Sequence, residues 1–406
     1  MKGLRDLKKL LLICSLVASS ALADDLGDIL SKNKSQLFEY DTQSNKLQND
    51  ILTKSWINPI RLQYKKNYNT QYHDKTIITD NYSVSIDQPI FRSGGIYYAI
   101  KYANASYEVG KDSIAMQKRA MIADAVSVLF NLKKVRLQQR KLHYQLKNDK
   151  IDIIQKRDSY NAGLLDSSFL DQALLKKSQD QTALLEFKFA LLELKQKFSI
   201  LSDKNPDKLR LPKLKLISKD YYQKHNLQLK RDIDIVEQSS YNAKVTQAKY
   251  LPAVSLQGQY LHGTLNPAYS GVSSYTMRDG YYNYGFSVSM PIDINSLSDI
   301  ELSKVAKLKA QTQAIDTKHT IKQEYDWIYN SIDILNQKIA LTNKDIKLYQ
   351  NLYKLTSNLV KAGQKTKLDA DVMYNTLHIR KLDKQIYQIE KQLQLLKLYM
   401  RVNNVI

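Results

Sequence analysis

YSVSIDQPIF, residues 82–91, returns as YGFSVSMPID, residues 284–293, and the helix break YNAG at 160–163 returns as VKAG at 360–363. The two displacements, 202 and 200 residues, agree to within a short loop insertion. Ordered landmarks at one offset indicate a duplicated structural unit. Each copy reads as two alternating strands joined to two long helices, and that combination restricts what the chain can be.

The strands carry one oily and one polar face. In the first copy Leu62, Tyr64, Tyr68 and Tyr72 share a face opposite Arg61, Gln63, Lys65 and Asn67, with Lys66 an exception on the apolar side. The next strand sets Tyr82, Val84 and Ile86 opposite Ser83, Ser85 and Asp87. In the second copy Val254, Leu256 and Tyr260 oppose Ser255, Gln257 and Gln259, and Tyr282, Tyr284, Phe286, Val288 and Met290 oppose Asn283, Gly285, Ser287 and Ser289. Successive side chains of a strand point to opposite faces, so each segment offers two unlike surfaces. A soluble sheet over a core would show the same alternation. The strand lengths, near the 9 to 11 residues that cross a bilayer, and the tyrosines gathered near strand ends favour a transmembrane β-barrel.

The helices set the remainder. From about 95 to 159 there is no proline, and Met121, Ala125, Val128, Leu132 and Val135 recur at spacings of four and three. Tyr325, Ile328, Ile332, Leu335, Ile339, Thr342, Ile346, Tyr349, Tyr353, Thr356 and Val360 keep that rhythm for five heptads. Shorter helices follow each glycine break, on Leu184, Phe187, Leu191, Leu194, Phe198 and Leu201, and on Ile379, Leu382, Ile386, Ile389, Leu393, Leu396 and Met400. Sustained heptads predict coiled-coil packing. A helix of about 60 residues reaches roughly 90 Å, too long to fold back into an ordinary domain.

Residues 1–23 read as a secretory signal peptide, with Lys2, Arg5, Lys8 and Lys9 before an apolar core and Ala21-Leu22-Ala23 as the cleavage site. The single cysteine, Cys14, falls inside it, so the exported chain would carry neither disulfide nor thiol. No later stretch is apolar enough for a transmembrane helix, and mean hydropathy is −0.45. A membrane-entering part would therefore have to use strands. The net charge of +21 falls to about +18 without the signal, and its lysines are spread along the helices with no basic tail or aromatic-basic cluster. That pattern argues against nucleic acid as a partner and for solvated helix faces that acidic lipid or lipopolysaccharide would attract.

The expected organisation is a signal (1–23), a first repeat (24–202; strands near 59–72 and 82–91, helices near 95–159 and 166–201), a linker with Pro206 and Pro212 (203–218), and a second repeat (219–406; strands near 252–262 and 281–292, helices near 298–361 and 366–403). A polar helix over 25–52 precedes the first strand, and one helix over 220–249 leads into the third. The segments 73–80 and 263–280 read as outer loops of two hairpins. The six histidines are scattered, and no nucleophile elbow or phosphate loop appears, so no catalytic, metal or cofactor site is expected. Asp149 and Asp152 read as ordinary charges on a solvated helix face.

Together the signal, the duplication, QAKYLP at 247–252, DQPIFRSGG at 87–95 and VKAGQKTKLDAD at 360–371 resemble the outer membrane efflux proteins, the TolC-like outer membrane factors. Asn295-Ser296 stands where the first repeat has Gly94-Gly95. The resemblance implies a mainly α chain with a transmembrane barrel: a homotrimer whose four strands per chain form one twelve-stranded barrel and whose helices form a periplasmic tunnel. It further implies a periplasmic gate at the inter-helix turn, with Lys365 at a basic and Asp369 at an acidic position; the second acidic position falls on Val372, where the adjacent Asp371 would substitute, and Tyr160, Ser168 and Asp171 of the other turn would be the partners. Gly163 and Gly363 would make the turns, where a periplasmic adaptor (membrane fusion protein) could dock. Capping charges on a helix N-terminus would look the same. The leading expectation is a passive exit duct of a tripartite efflux or type I secretion system, working with an inner-membrane pump and without cofactor. The competing one is a non-conducting periplasmic coiled-coil scaffold or adaptor.

Overall fold

The computed structural model describes residues 28–72, 75–263 and 280–402. The signal segment, Cys14 and most of the second hairpin loop lie outside the described residues, as do positions 73 and 74 of the first. In chain order the elements are α1 (Lys32–Lys54), β1 (Arg61–Tyr72), β2 (Lys75–Phe91), α2 (Gly95–Asn161), α3 (Ser167–Leu201), α4 (Lys219–Lys224), α5 (Leu227–Lys249), β3 (Ala253–Gly263), β4 (Gly280–Ser289), α6 (Ser296–Lys361) and α7 (Lys367–Met400). The described residues form two compact units, one of residues 41–113 and 229–317, the other of 28–40, 114–228 and 318–402. The sheet belongs to the first.

That sheet has the order β1-β2-β3-β4, antiparallel throughout. β2 begins at Lys75, earlier than the alternation from Tyr82 suggested, because residues 75–81 continue the ladder to β1. At the other end the β2–β3 register shifts between Pro89 and Phe91. Proline has no N–H to give to the ladder, so a bulge is where a sheet accommodates it. β4 stops at Ser289, leaving Met290 just past the strand.

The two strand-to-helix bends are built differently. After β2 the chain turns through Ser93 and Gly94 at positive φ, and Gly95 N–H donates to Arg92 C=O at 2.7 Å. After β4 no residue takes a positive φ; Asp293 instead accepts from Asn295 N–H on its side chain (2.9 Å), and its carbonyl accepts from Ser296 N–H (3.0 Å). An aspartate side chain imitating a backbone turn thus replaces the glycine pair.

In the second unit α2 is more deeply buried than a heptad stripe requires. Ala125, Leu132 and Val135 are buried as expected, and so are Ile122, Ala123, Val126, Leu129, Phe130 and Leu137. A helix apolar nearly all round over this stretch is one surrounded by other helices. On α6 the predicted seam is the inward one: Tyr325, Ile328, Ile332, Leu335 and Thr342 are buried. Leu137 of α2 and Leu382 and Ile386 of α7 form a common core cluster.

The expected single helix over 220–249 is instead two, α4 and α5. Asn226 stops the first by pairing in an isolated antiparallel bridge with Val402, and Leu227 N–H donates to Arg401 C=O at 2.9 Å. The Asn226 side chain then accepts from Gln228 N–H (3.0 Å), the cap that starts α5. The linker after α3 is tied down as well. Gln392 of α7 brackets Leu214, accepting from its N–H (2.7 Å) and donating to its C=O (3.3 Å).

Candidate functional site

Between the register shifts the strand pairing carries the even-numbered strand positions to one face. Leu62 stands opposite Val84, Val84 opposite Tyr260 and Tyr260 opposite Tyr282. The rows beside it are Tyr64–Tyr82, Ile86–Gly258–Tyr284, Leu256–Phe286 and Val254–Val288, with Tyr68 opposite Ile78. Most of these are large and exposed, while Val254 and Tyr260 are half-buried among their neighbours. Tyrosine rings pack across the strands, Tyr64 on Tyr82 with centroids 4.7 Å apart and Tyr260 on Tyr282 at 4.8 Å. Lys66, the exception on this face, stands opposite Asp80, with Nζ 5.5 Å from the Tyr68 ring centroid. Such cross-strand pairs are what stabilise a sheet face, although none of the described residues covers this one.

The odd-numbered face is mainly polar, with Leu261 opposite Tyr281 toward the loop end. It carries a cleft of about 630 Å³ lined by Arg61, Ser85, Asp87, Gln257, Gln259 and Asn283. The sheet thus separates an apolar surface from a mainly polar one. Its two outer edges, on β1 and β4, have no strand partner among the described residues.

The two inter-helix turns match bond for bond. In the first, Gly163 at φ +70° donates from its N–H to Tyr160 C=O (2.9 Å), and Leu164 N–H reaches back to Ser159 C=O (2.8 Å). In the second, Gly363 at φ +73° donates to Val360 C=O (3.0 Å), and Gln364 N–H to Leu359 C=O (2.9 Å). This crossed pair satisfies the last carbonyls of α2 and α6, and it needs a left-handed residue at the glycine. A Cβ at Gly363 would meet nothing within 4 Å, so a substitution is penalised only through its φ. Gly363→Ala is expected to lower stability by about 1–2 kcal/mol, measured as a shift of the denaturant midpoint at constant slope.

Each turn then restarts a helix with a side-chain cap. Asp166 accepts from Ser168 N–H at 2.8 Å, a bond that holds its carboxyl below the usual range. Thr366 accepts from Asp369 N–H at 3.2 Å, and Asp369 accepts from Thr366 N–H at 3.1 Å and Oγ1 at 2.9 Å, a complete capping box. Asp369 also accepts from Gln155 Nε2 of α2 (3.3 Å). The Thr366 bonds, backbone first, and the nearby Lys365 lower its pKa. A depressed carboxyl stabilises above its unfolded pKa, and that contribution disappears as pH falls through the folded value. The capping contribution of Asp369 is thus present at neutral pH and is lost in acid.

Lys365 is exposed beside that cap, and Asp371 is half-buried one turn further along α7. Tyr160, Ser168 and Asp171 are exposed on the other turn. Within one chain Asp369 and Gln155 are brought together across helices, whereas Asp171 and Asp371 have no ion-pair partner among the described residues. Above the turn a stack missed in the sequence joins three helices: Tyr144 of α2 lies on His378 of α7 (centroids 5.0 Å, planes 10° apart), which meets Tyr374 at 4.4 Å, which meets Tyr353 of α6 at 5.6 Å. Burial, then Lys381, Lys147 and Arg140, lowers the His378 pKa, so the ring is neutral at physiological pH and packs as an aromatic.

A second seam also escaped the heptad reading. Trp327, Ile334, Leu341, Leu348 and Leu355 follow one another at intervals of seven on α6, and each is more than half exposed. α3 likewise exposes Leu185, Phe189 and Leu192, at spacings of four and three. The sequence signal was an apolar residue just before every second predicted seam position on α6, which a one-seam reading leaves as noise.

Residues 223–393 match the family model described as outer membrane efflux protein. No curated protein matches the chain by sequence. Among solved structures the chain is similar to the outer membrane protein VceC of Vibrio cholerae (14% identity, 94% of this chain and 97% of that one, TM-score 0.71). It is also similar to the Campylobacter jejuni CmeC outer membrane channel (14%, 95% and 87%, 0.71) and to the open state of the Neisseria gonorrhoeae MtrE outer membrane channel (13%, 94% and 88%, 0.66). The resemblance to outer membrane efflux proteins therefore holds, and the fold, helices with a few antiparallel strands, is that of outer membrane channels.

Proposed function

We propose that the chain is one third of a trimeric outer-membrane channel-tunnel: a passive exit duct through which an inner-membrane pump, joined by a periplasmic adaptor, expels its cargo in an efflux or type I secretion system. The observation that carries this reading is the sheet, with one apolar face, one polar face and two unpaired edges. Four strands cannot close, and an open edge is not tolerated in lipid. Three copies give twelve strands, with Leu62, Val84, Tyr282, Phe286 and their row partners toward lipid and the polar cleft toward a water-filled bore. The duplicated units make six similar segments of that ring. The second seams on α3 and α6 are the surfaces along which neighbouring chains pack into a helical tunnel.

Fractionation and native electrophoresis test the assembly, and planar-bilayer recording tests conduction. An outer-membrane trimer that conducts ions is expected; a soluble monomer, or a trimer without conductance, would overturn the reading.

The gate in this proposal is the α6–α7 turn, where three copies of Lys365, Asp369 and Asp371 surround the axis and meet Tyr160, Ser168 and Asp171 of adjoining turns. Asp369 supplies its charge while held in its capping box, so its place is set by the helix start. Acidic rings of this kind attract cations. Lys365→Glu removes the cation that balances the ring, and the expected result is a several-fold rise in closed-state leak. Unchanged leak in single-channel records would remove Lys365 from the gate. Gly163 and Gly363 present the turns as blunt, matched surfaces for the adaptor.

A further inference from the structure

Two aspartates on α2 are almost wholly buried, Asp112 at 4% exposure and Asp149 at 6%. Each faces a Lys-x-x-x-Asp segment on the helix packed against it: Lys230 and Asp234 of α5 for Asp112, Lys176 and Asp180 of α3 for Asp149. In both places one lysine spans two carboxyls. Lys176 Nζ lies 3.6 Å from Asp149 Oδ1 and 3.6 Å from Asp180 Oδ2; Lys230 Nζ lies 2.8 Å from Asp112 Oδ1 and 3.8 Å from Asp234 Oδ2. The Oδ2 atoms of all four aspartates are buried without a hydrogen-bond donor. Within each pair the shared lysine brings the two carboxyls together. Asp149 was expected on a solvated face beside Asp152; only Asp152 is there, paired with Lys156 at 3.0 Å.

Two ionised carboxylates cannot share such a space without repulsion, and one proton between them turns the repulsion into a strong hydrogen bond. With that proton the three-group cluster is neutral; without it, one buried negative charge is uncompensated. We propose that the Asp149–Asp180 and Asp112–Asp234 pairs are proton-held fasteners, gripping α2 against α3 and against α5 in mild acid and loosening as the surroundings become neutral.

The direction follows from linkage. Burial first, and then the hydrogen bond to Asp180, pushes Asp149 up to about 6 against the pull of Lys176. Burial and then Asp112 do the same to Asp234, also to about 6. A separated pair takes up its proton only near the ordinary value of about 3.9, so closure binds a proton that the open form does not. The added grip is complete below that ordinary value and is lost as pH rises through about 6. The charges acting on Asp149 come from α3, Lys176 and Asp180, while its neighbour on the α7 side is the neutral Asn148–Asn375 contact (2.9 Å). On Asp234 they are Lys230, Asp112 and, more weakly, Glu108 of α2, itself paired with Lys111. The recurrence of one arrangement at two positions of the same helix favours a device over a packing accident.

Amide hydrogen exchange on the full chain in detergent, corrected for the intrinsic pH dependence of exchange, tests this without channel activity. Between about pH 5 and about pH 7.5, protection of residues 140–160 and 170–185 is expected to fall roughly ten-fold. In Asp180→Asn the amide donates to Asp149 without titrating, so that fall disappears while the response around Asp112 persists; Asp234→Asn gives the reverse. Lys176 is exposed enough for Lys176→Met to fold, and removing its charge moves the transition to higher pH. Wild-type protection that ignores pH, an unaltered response in Asp180→Asn, or an unmoved transition in Lys176→Met would each overturn the proposal.

Discussion

Phe286→Arg is expected to abolish stable insertion in the outer membrane, while Ser287→Arg, one residue further on, leaves assembly intact. The two positions differ by half a pleat. Phe286 stands in the apolar row with Leu256, exposed on the face without a cover, whereas Ser287 stands opposite Ser255 on the polar face. An arginine on the lipid side near the bilayer middle raises the free energy by about 2–4 kcal/mol, and the change recurs in every copy of a closed barrel. On the bore side the same arginine stays hydrated and alters only the charge of the passage. Outer-membrane fractionation with heat-shifted electrophoretic mobility reads the difference, and equal behaviour of the two variants would sink the assignment of faces. The contrast is sharp because a strand's side chains alternate: a register slip of one residue would exchange the two outcomes.

The strands were legible in the sequence because their period is two and their faces differ in chemistry. Even the sense of the odd residue survives, since Lys66, out of place by alternation, finds Asp80 across the ladder. The turns were legible because glycine at 163 and 363 marks left-handed backbone; capping was the alternative to the gate for the charges there, and it is the role Asp369 has, while the cap residues Asp166 and Thr366, three residues beyond each glycine, were not singled out. Harder to see were features that depend on which helix meets which. Asp149 and Asp152 look alike in a heptad count; one is buried against α3 and the other is solvated, and only the packing distinguishes them. Likewise the break between α4 and α5 depends on Asn226 pairing with Val402, 176 residues away, a contact that no local pattern encodes. For the gate, the sequence supplied residue types at the turns, and the structure adds that Asp369 is already engaged by Thr366 and Gln155 within one chain. What three copies of Lys365 and Asp371 do around an axis is decided by the assembly, which is why the gate is put to electrical measurement.

The seam of α6 that faces away from its own chain provides the other large effect. Trp327, Ile334, Leu341, Leu348 and Leu355 present a strict seven-residue repeat to solvent, while Tyr325, Ile328, Ile332 and Leu335 serve the chain's own core. A helix with an apolar stripe on two sides has two sets of neighbours, and an uncovered stripe of this length on a soluble surface would be an aggregation hazard. Burying a leucine contributes about 1.5–3 kcal/mol, so two leucines in each of three equivalent contacts are a large part of what holds an assembly together. Replacing both with glutamate not only forfeits that contribution but drives carboxylates into an apolar seam, where each must stay solvated or take up a proton. Leu341→Glu with Leu348→Glu is therefore expected to convert the proposed trimer to monomers with helix content unchanged, since both side chains are more than half exposed in the single chain. Leu335→Ala gives the opposite signature, a loss of about 2–5 kcal/mol in chain stability. Light scattering of the detergent-solubilised protein beside circular dichroism separates the two; a double-glutamate variant that remains trimeric would place the subunit contact elsewhere and leave the second seam without a partner.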